Sequence, residues 1–245
     1  MTRVILNCDL GESFGAYQIG NDEKIIPLVD AVNIACGFHA GDPETIHQTV
    51  KLAKQYNVKI GAHPGFQDLL GFGRRNIEMH PEAVYNLIIY QLGALHGFTK
   101  VQNVKMHHVK PHGALYNMAS KDRKLSDAIV EAIADFDKNL TLVGLANSKL
   151  IDAGIDKGLN VLNEVFADRT YQKDGTLTPR TEPGAVIQET EDAIKQVESM
   201  VEHGMVTSPT GEEIVIKADT ICVHGDTEQS LSLVTALNTL LKQSR

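Results

Sequence analysis

The sequence predicts an α/β fold: one TIM-like barrel of parallel strands, each followed by a helix, with seven units, a (β/α)7 barrel. Three observations carry this. Strand-like and amphipathic helical segments alternate from end to end through seven units. The strands are mostly apolar, as expected of a parallel sheet covered on both faces. No Pro/Ser-rich linker, low-complexity segment or charge block divides the 245 residues, which predicts a single domain spanning 1–245. A doubly wound open sheet ranks second, because no G-x-G-x-x-G fingerprint follows the first strand and no tip is a G-x-x-x-x-G-K-[ST] phosphate loop.

The first strand and the loop behind it, residues 4–15, carry Val4, Ile5, Leu6 and Cys8 in the strand, with Asn7, Asp9 and Glu12 crowding its end and Gly11 and Gly15 allowing a sharp turn. A short helix near 22–28 leads to a strand over 31–36. Asp42 then caps a helix with Pro43 in its first turn and Ile46, Val50 and Ala53 on one face, running to about Tyr56. The third strand, 58–66, ends at His63, which Pro64 biases toward an extended conformation. After the loop L-L-G-F-G-R-R-N, a helix opens at Pro81 and runs to about His96 on the stripe Val84, Leu87, Ile88, Leu92 and Leu95.

The fourth strand, 105–113, brings Lys110 and His112 to its tip, and Ser120 is expected to cap the next helix. Strand five covers 140–145, with a helix after Asn147. Strand six covers 161–171 and is followed by K-D-G-T-L-T-P-R-T-E-P-G, a polar loop long enough to suggest a lid or binding loop. A helix with Val186, Ile194, Val197 and Val201 inward comes next, then a hairpin over 206–216. The last strand, T-I-C-V-H-G-D, precedes a helix from Thr227 bearing Leu231, Val234, Leu237 and Leu241.

Composition excludes several classes. With 23 basic and 31 acidic residues the formal charge is −8, and no basic cluster or aromatic platform is present, so nucleic acid is not an expected partner. No apolar run approaches the roughly 18 to 20 residues that span a bilayer, and no basic-then-apolar leader opens the chain, so a cytoplasmic protein without membrane contact is expected. Cys8, Cys36 and Cys222 are widely spaced in strand-like segments and read as small core residues.

A parallel barrel gathers all its C-terminal strand tips on one face. Asp9, Glu12, His39, His63, Lys110, His112, Glu164, Asp168, Arg169, His224 and Asp226 would then share one pocket. Each has a plainer reading. Asp226 precedes Thr227 and also suits an N-cap; Glu164, inside a strand, also suits an ion pair with Lys110 or Arg169; His107 and His108 alternate across their strand, so at most one faces the pocket, and neither is included. The whole set outweighs any member, since four of the ten histidines fall at strand tips.

The strings N-C-D-L-G-E-S-F-G, N-I-A-C-G-F-H-A-G-D-P, G-A-H-P-G-F-x-D-x-x-G-F-G-R-R, V-K-P-H-G-A-L-Y-N, E-V-F-A-D-R-x-Y and V-H-G-D, in order across the chain, resemble those of the LamB/YcsF lactam-utilisation family. The resemblance implies a barrel of the glycoside hydrolase/deacetylase type. It implies ring opening of 5-oxo-L-proline to L-glutamate, coupled to ATP hydrolysis and shared with two further subunits, B and C. ATP is then a co-substrate that a partner subunit could hold. On this view Lys110 and Arg169 are candidate cations for phosphate or carboxylate, and Asp9, Glu12, His39, His63, His112 and Asp168 candidate acid–base groups. Arg74 and Arg75, flanked by glycines, would aim planar forks and backbone N–H groups at one anion. Glu164, His224 and Asp226 complete the expected substrate contacts. Replacing Asp9, His63 or Lys110 should cost activity but little stability, because barrel tips are not its core.

Two other readings compete. One is a stand-alone metal-dependent amide or acetyl hydrolase, since deacetylases of this fold bind a divalent metal through an Asp and two His; the residues alone leave the metal open. The other is a docking scaffold without chemistry of its own.

Overall fold

The computed structural model describes residues 3–224 and 230–243. Inward and outward residues alternate along each strand, and the sequence uses the two sides differently. β1 (Ile5–Leu10), β2 (Ala31–Ala35), β3 (Lys59–His63), β4 (Met106–Val109), β5 (Thr141–Leu145) and β6 (Asn160–Phe166) pair in parallel in that order. The chain then makes a small antiparallel hairpin, β7 (Met205–Thr207) with β8 (Glu213–Val215), before β9 (Thr220–His224) enters between β6 and β1 and closes a seven-stranded barrel.

Outward side chains, among them Leu6, Val32, Ile60, Val109, Leu142, Val165 and Ile221, are buried in one hydrophobic cluster with the apolar stripes of the helices. Each such side chain contributes roughly 1.5–3 kcal/mol relative to exposure. The helices are α1 (Asp22–Ile25, continued by a 3-10 turn to Leu28), α2 (Pro43–Gln55), α3 (Pro81–Val101), α4 (Gly113–Ala119), α5 (Arg123–Asp137), α6 (Lys149–Lys157), α7 (Thr190–Glu198) and α8 (Ser230–Gln243). Inward residues are largely polar. Gly61 is needed here, because a Cβ at this position would collide with the His108 ring crossing the barrel interior.

Asp42 caps α2 as expected, its Oδ1 accepting from Thr45 N at 2.8 Å. Ser120 does not cap the next helix. A short helix the sequence did not reveal, α4, begins directly after His112, and Ser120 ends it by donating to Asn117 O, while Asp122 caps α5. Seven residues are too few for a periodic pattern to register. α3 runs on to Val101, beyond the expected His96.

Strand six stops at Phe166 rather than 171, so Asp168 and Arg169 lie on a bend above the rim. Val186 bridges Arg169 there and is not part of α7. Asp226 and Thr227 lie outside the described residues.

Candidate functional site

Inside the barrel, a lysine from β4's end meets carboxylates from β1 and β6. Lys110 Nζ lies 2.9 Å from Asp9 Oδ1, 2.9 Å from Glu164 Oε1 and 3.0 Å from Cys222 Sγ, so all three ammonium protons have acceptors. Asp9 also accepts from Asn33 Nδ2 at 2.8 Å, and Glu164 from Asn7 Nδ2 at 3.1 Å and Tyr116 Oη at 2.7 Å. Beneath them His108 Nε2 donates to Asn33 Oδ1 at 2.7 Å.

Burial raises the Asp9 carboxyl, but the His63 and Lys110 charges outweigh it and hold the group well below the usual carboxylate range. Burial likewise pulls the Lys110 ammonium down, and Asp9, Cys222 and Glu164 more than reverse that. Lys110 is 2 % exposed and ion-paired twice, so the expectation that it could be replaced with little loss of stability is corrected: it holds the barrel interior together.

Directly above lies a histidine cluster. His63 Nδ1 is 2.7 Å from Lys110 O and His112 Nε2 is 2.8 Å from Phe72 O; a carbonyl only accepts, so both of these nitrogens carry hydrogen. The opposite nitrogens, His63 Nε2 and His112 Nδ1, face each other at 2.9 Å. Asp9 Oδ2 is 3.4 Å from His63 Nε2, and Glu12 Oε1 is 3.8 Å from both His112 Nδ1 and His39 Nε2. The His39 ring lies parallel to that of His112 at 3.7 Å, fully buried, and neither of its nitrogens has a hydrogen-bond partner. Burial, reinforced by neighbouring histidines, pushes His39 and His112 well below the ordinary imidazole value.

These groups open on a cavity of about 1040 Å³ at the C-terminal mouth of the barrel, lined by Asp9, Glu12, His63, Lys110, His112 and His224 at its base. Its rim carries Arg74, Arg75, Arg169 and residues 176–181, so the long polar loop after β6 is part of the site, as expected. Arg169 is held by the carbonyls of Ala185 and Thr178, and burial with Arg180 alongside pushes its guanidinium down to about 10. His224 Nδ1 is 2.8 Å from Asp168 Oδ2; burial raises that carboxyl, and His224 more than offsets it.

The strand-tip set therefore converges, with distinctions. Glu164 is fully buried under Lys110 and, like Asp168, is not among the cavity-lining residues: Glu164 fixes Lys110, and Asp168 fixes His224. Arg75 is tied to Asp68, with its Nε 2.9 Å from Oδ1, so the two adjacent arginines do not aim at one point; Arg74 lies over the Phe72 ring instead. Asp226 is outside the described residues.

Sequence reasoning missed Cys222, Asn33, Tyr116 and Arg180. Cys222 stands two residues before His224 on the same strand face, and Asn33 interrupts an otherwise apolar strand, so strand alternation would have found both.

The arrangement is that of a parallel α/β barrel with a buried acid–base site at its C-terminal mouth and cationic groups around the entrance. The chain belongs to the LamB/YcsF family, whose pattern matches residues 4–245. It is 54% identical over 244 residues to the 5-oxoprolinase A subunit of Tolumonas auensis, covering 100% of this chain and 97% of that one. It is 55% identical over 242 residues to the protein of the same name in Bacillus subtilis, covering 99% and 94%. Among solved structures, the lactam utilization protein from Thermus thermophilus superposes with a TM-score of 0.92 at 43% identity, covering 99% of this chain and 97% of the other. No helix among the described residues is long and apolar enough to cross a membrane.

Proposed function

We propose that this chain works as the A subunit of a 5-oxoprolinase, a hydrolase that opens the cyclic amide of 5-oxo-L-proline to give L-glutamate. The observation that carries this is identity of more than half the residues, over almost the whole length, to proteins of that name. The word subunit in those names implies partner chains, and our reading is that these are the B and C subunits of the same enzyme and that ATP drives the reaction.

A five-membered lactam is a stable amide, so opening it calls for activation. In our reading the lactam oxygen takes the γ-phosphoryl group of ATP, releasing ADP. A first water adds to the activated carbon and gives up a proton. The C–N bond then breaks as nitrogen takes a proton, leaving an acyl phosphate, and a second water releases phosphate and glutamate. His224, which lines the cavity with its Nδ1 held 2.8 Å from Asp168 Oδ2, is the group placed to take the proton from water and return it to nitrogen. Arg74, Arg169 and Arg180 at the mouth suit the carboxylate or phosphoryl oxygens.

A glutamate-release assay on 5-oxoproline tests the reading, run with this chain alone, with the partner subunits alone and with all three. ATP-dependent release from the full set only is expected. Release from this chain alone without ATP would point to a stand-alone hydrolase and overturn the proposal.

A further inference from the structure

We propose that His63 Nε2, His112 Nδ1, His39 Nε2 and the Glu12 carboxylate form a binding site for one divalent transition cation of the zinc class. One donor atom from each residue lies within 4.8 Å of all the others, and all four side chains are buried. Metal-ligating histidines generally donate their other ring N–H to a fixed acceptor. His63 and His112 do so to the carbonyls of Lys110 and Phe72.

With those protons committed, the two remaining ring nitrogens face each other at 2.9 Å. Two nitrogens each about 2.1 Å from one ion, roughly at right angles, stand about 3 Å apart, so a cation resolves the contact. His39 supplies an independent observation: it is fully buried, and neither ring nitrogen has a hydrogen-bond partner, although such groups are normally satisfied by protein, water or ion. Its ring lies flat on His112, so its lone pair reaches the shared point only after tilting, and no hydrogen bond holds it back.

Asp9 is not in this donor set. Its oxygens accept from Lys110 and Asn33, which separates the site from the Asp-plus-two-His arrangement of the fold's deacetylases. Three imidazoles and one carboxylate suit zinc-class ions over magnesium or calcium, which prefer all-oxygen shells.

The test is metal analysis of the chain purified without chelator, followed by removal of the ion and titration with Zn²⁺ and Co²⁺. One equivalent should bind, and Co²⁺ should give visible d–d absorption. His63→Gln and His112→Gln should each weaken binding at least about a hundredfold, while Cys222→Ser leaves it unchanged. Because the two histidine variants could lose the fold, wild-type protein with ¹⁵N-labelled histidine is followed in parallel, where Zn²⁺ should shift His63 Nε2 and His112 Nδ1. A folded wild type that takes up no stoichiometric cation would overturn the site. Binding that survives in folded His63→Gln and His112→Gln, or a proton between the two rings that Zn²⁺ does not displace, would do the same. Glutamate release is not a readout here: its absence with cation binding intact breaks the assigned reaction and leaves the site standing.

Discussion

The Lys110 cluster and the histidine cluster are both buried, share the edge between Asp9 and His63, and differ in how completely their polar atoms are bonded. Around Lys110 every ammonium proton has an acceptor and both oxygens of Glu164 have donors. Above it, His39 has no hydrogen bond, and two facing nitrogens compete for one proton. A satisfied buried network specifies a structure, whereas an unsatisfied one is retained at a cost. The difference separates scaffold from chemistry within a few ångströms, and four substitutions can break or sharpen it.

Lys110→Met should have the largest effect. It leaves Asp9 and Glu164 buried without their counter-charge, a loss of about 3–5 kcal/mol measured by urea denaturation. An unchanged midpoint would remove Lys110 from the scaffold.

Next is acid sensitivity. Burial, with His107 nearby, pushes His108 down to about 3, against about 6.5 when unfolded. The unfolded chain then binds a proton the native state refuses, so this contribution is complete above pH 6.5 and is lost as pH falls toward 3. His108→Gln should reduce the slope of unfolding free energy between pH 6 and 4 by about 1.4 kcal/mol per pH unit. Equal slopes in the two proteins would show that His108 is not held neutral.

His39→Phe sharpens the contrast from the other side. It removes unsatisfied nitrogens while keeping a flat ring on His112, so stability should change by less than about 1 kcal/mol, while glutamate release by the assembled enzyme is lost. Marked destabilisation with full activity would reverse the roles of the two clusters. Arg75→Lys should do least: its fork is spent on Asp68, so steady-state constants should stay within about twofold of wild type. A large fall in turnover would return Arg75 to the substrate.

The barrel and the gathering of polar residues at one mouth were legible in the sequence because parallel strand–helix units place every strand end on the same face. Which residues pair was not. Asn7 bonds Thr220 and Glu164 only because β9 closes the ring onto β1, contacts across 213 and 157 positions that local pattern does not encode. Cys222 read as core filler because a thiol's packing role and its service as an acceptor for Lys110 look alike in sequence. Arg74 and Arg75 read as a pair because adjacency is visible, whereas the capture of Arg75 by Asp68 depends on how the intervening loop folds back.

The carbonyl that fixes His112 belongs to Phe72, a non-glycine residue at φ 52°. Its loop is stitched to the start of α4 by the bond from Ala114 N to Gly73 O at 2.9 Å. Two residues before Phe72, Leu70 stands 96% exposed. The orientation of a buried imidazole is thus geared to a stretch of main chain that reaches the outer surface, and a displacement of that stretch by about an ångström is enough to unlatch the ring.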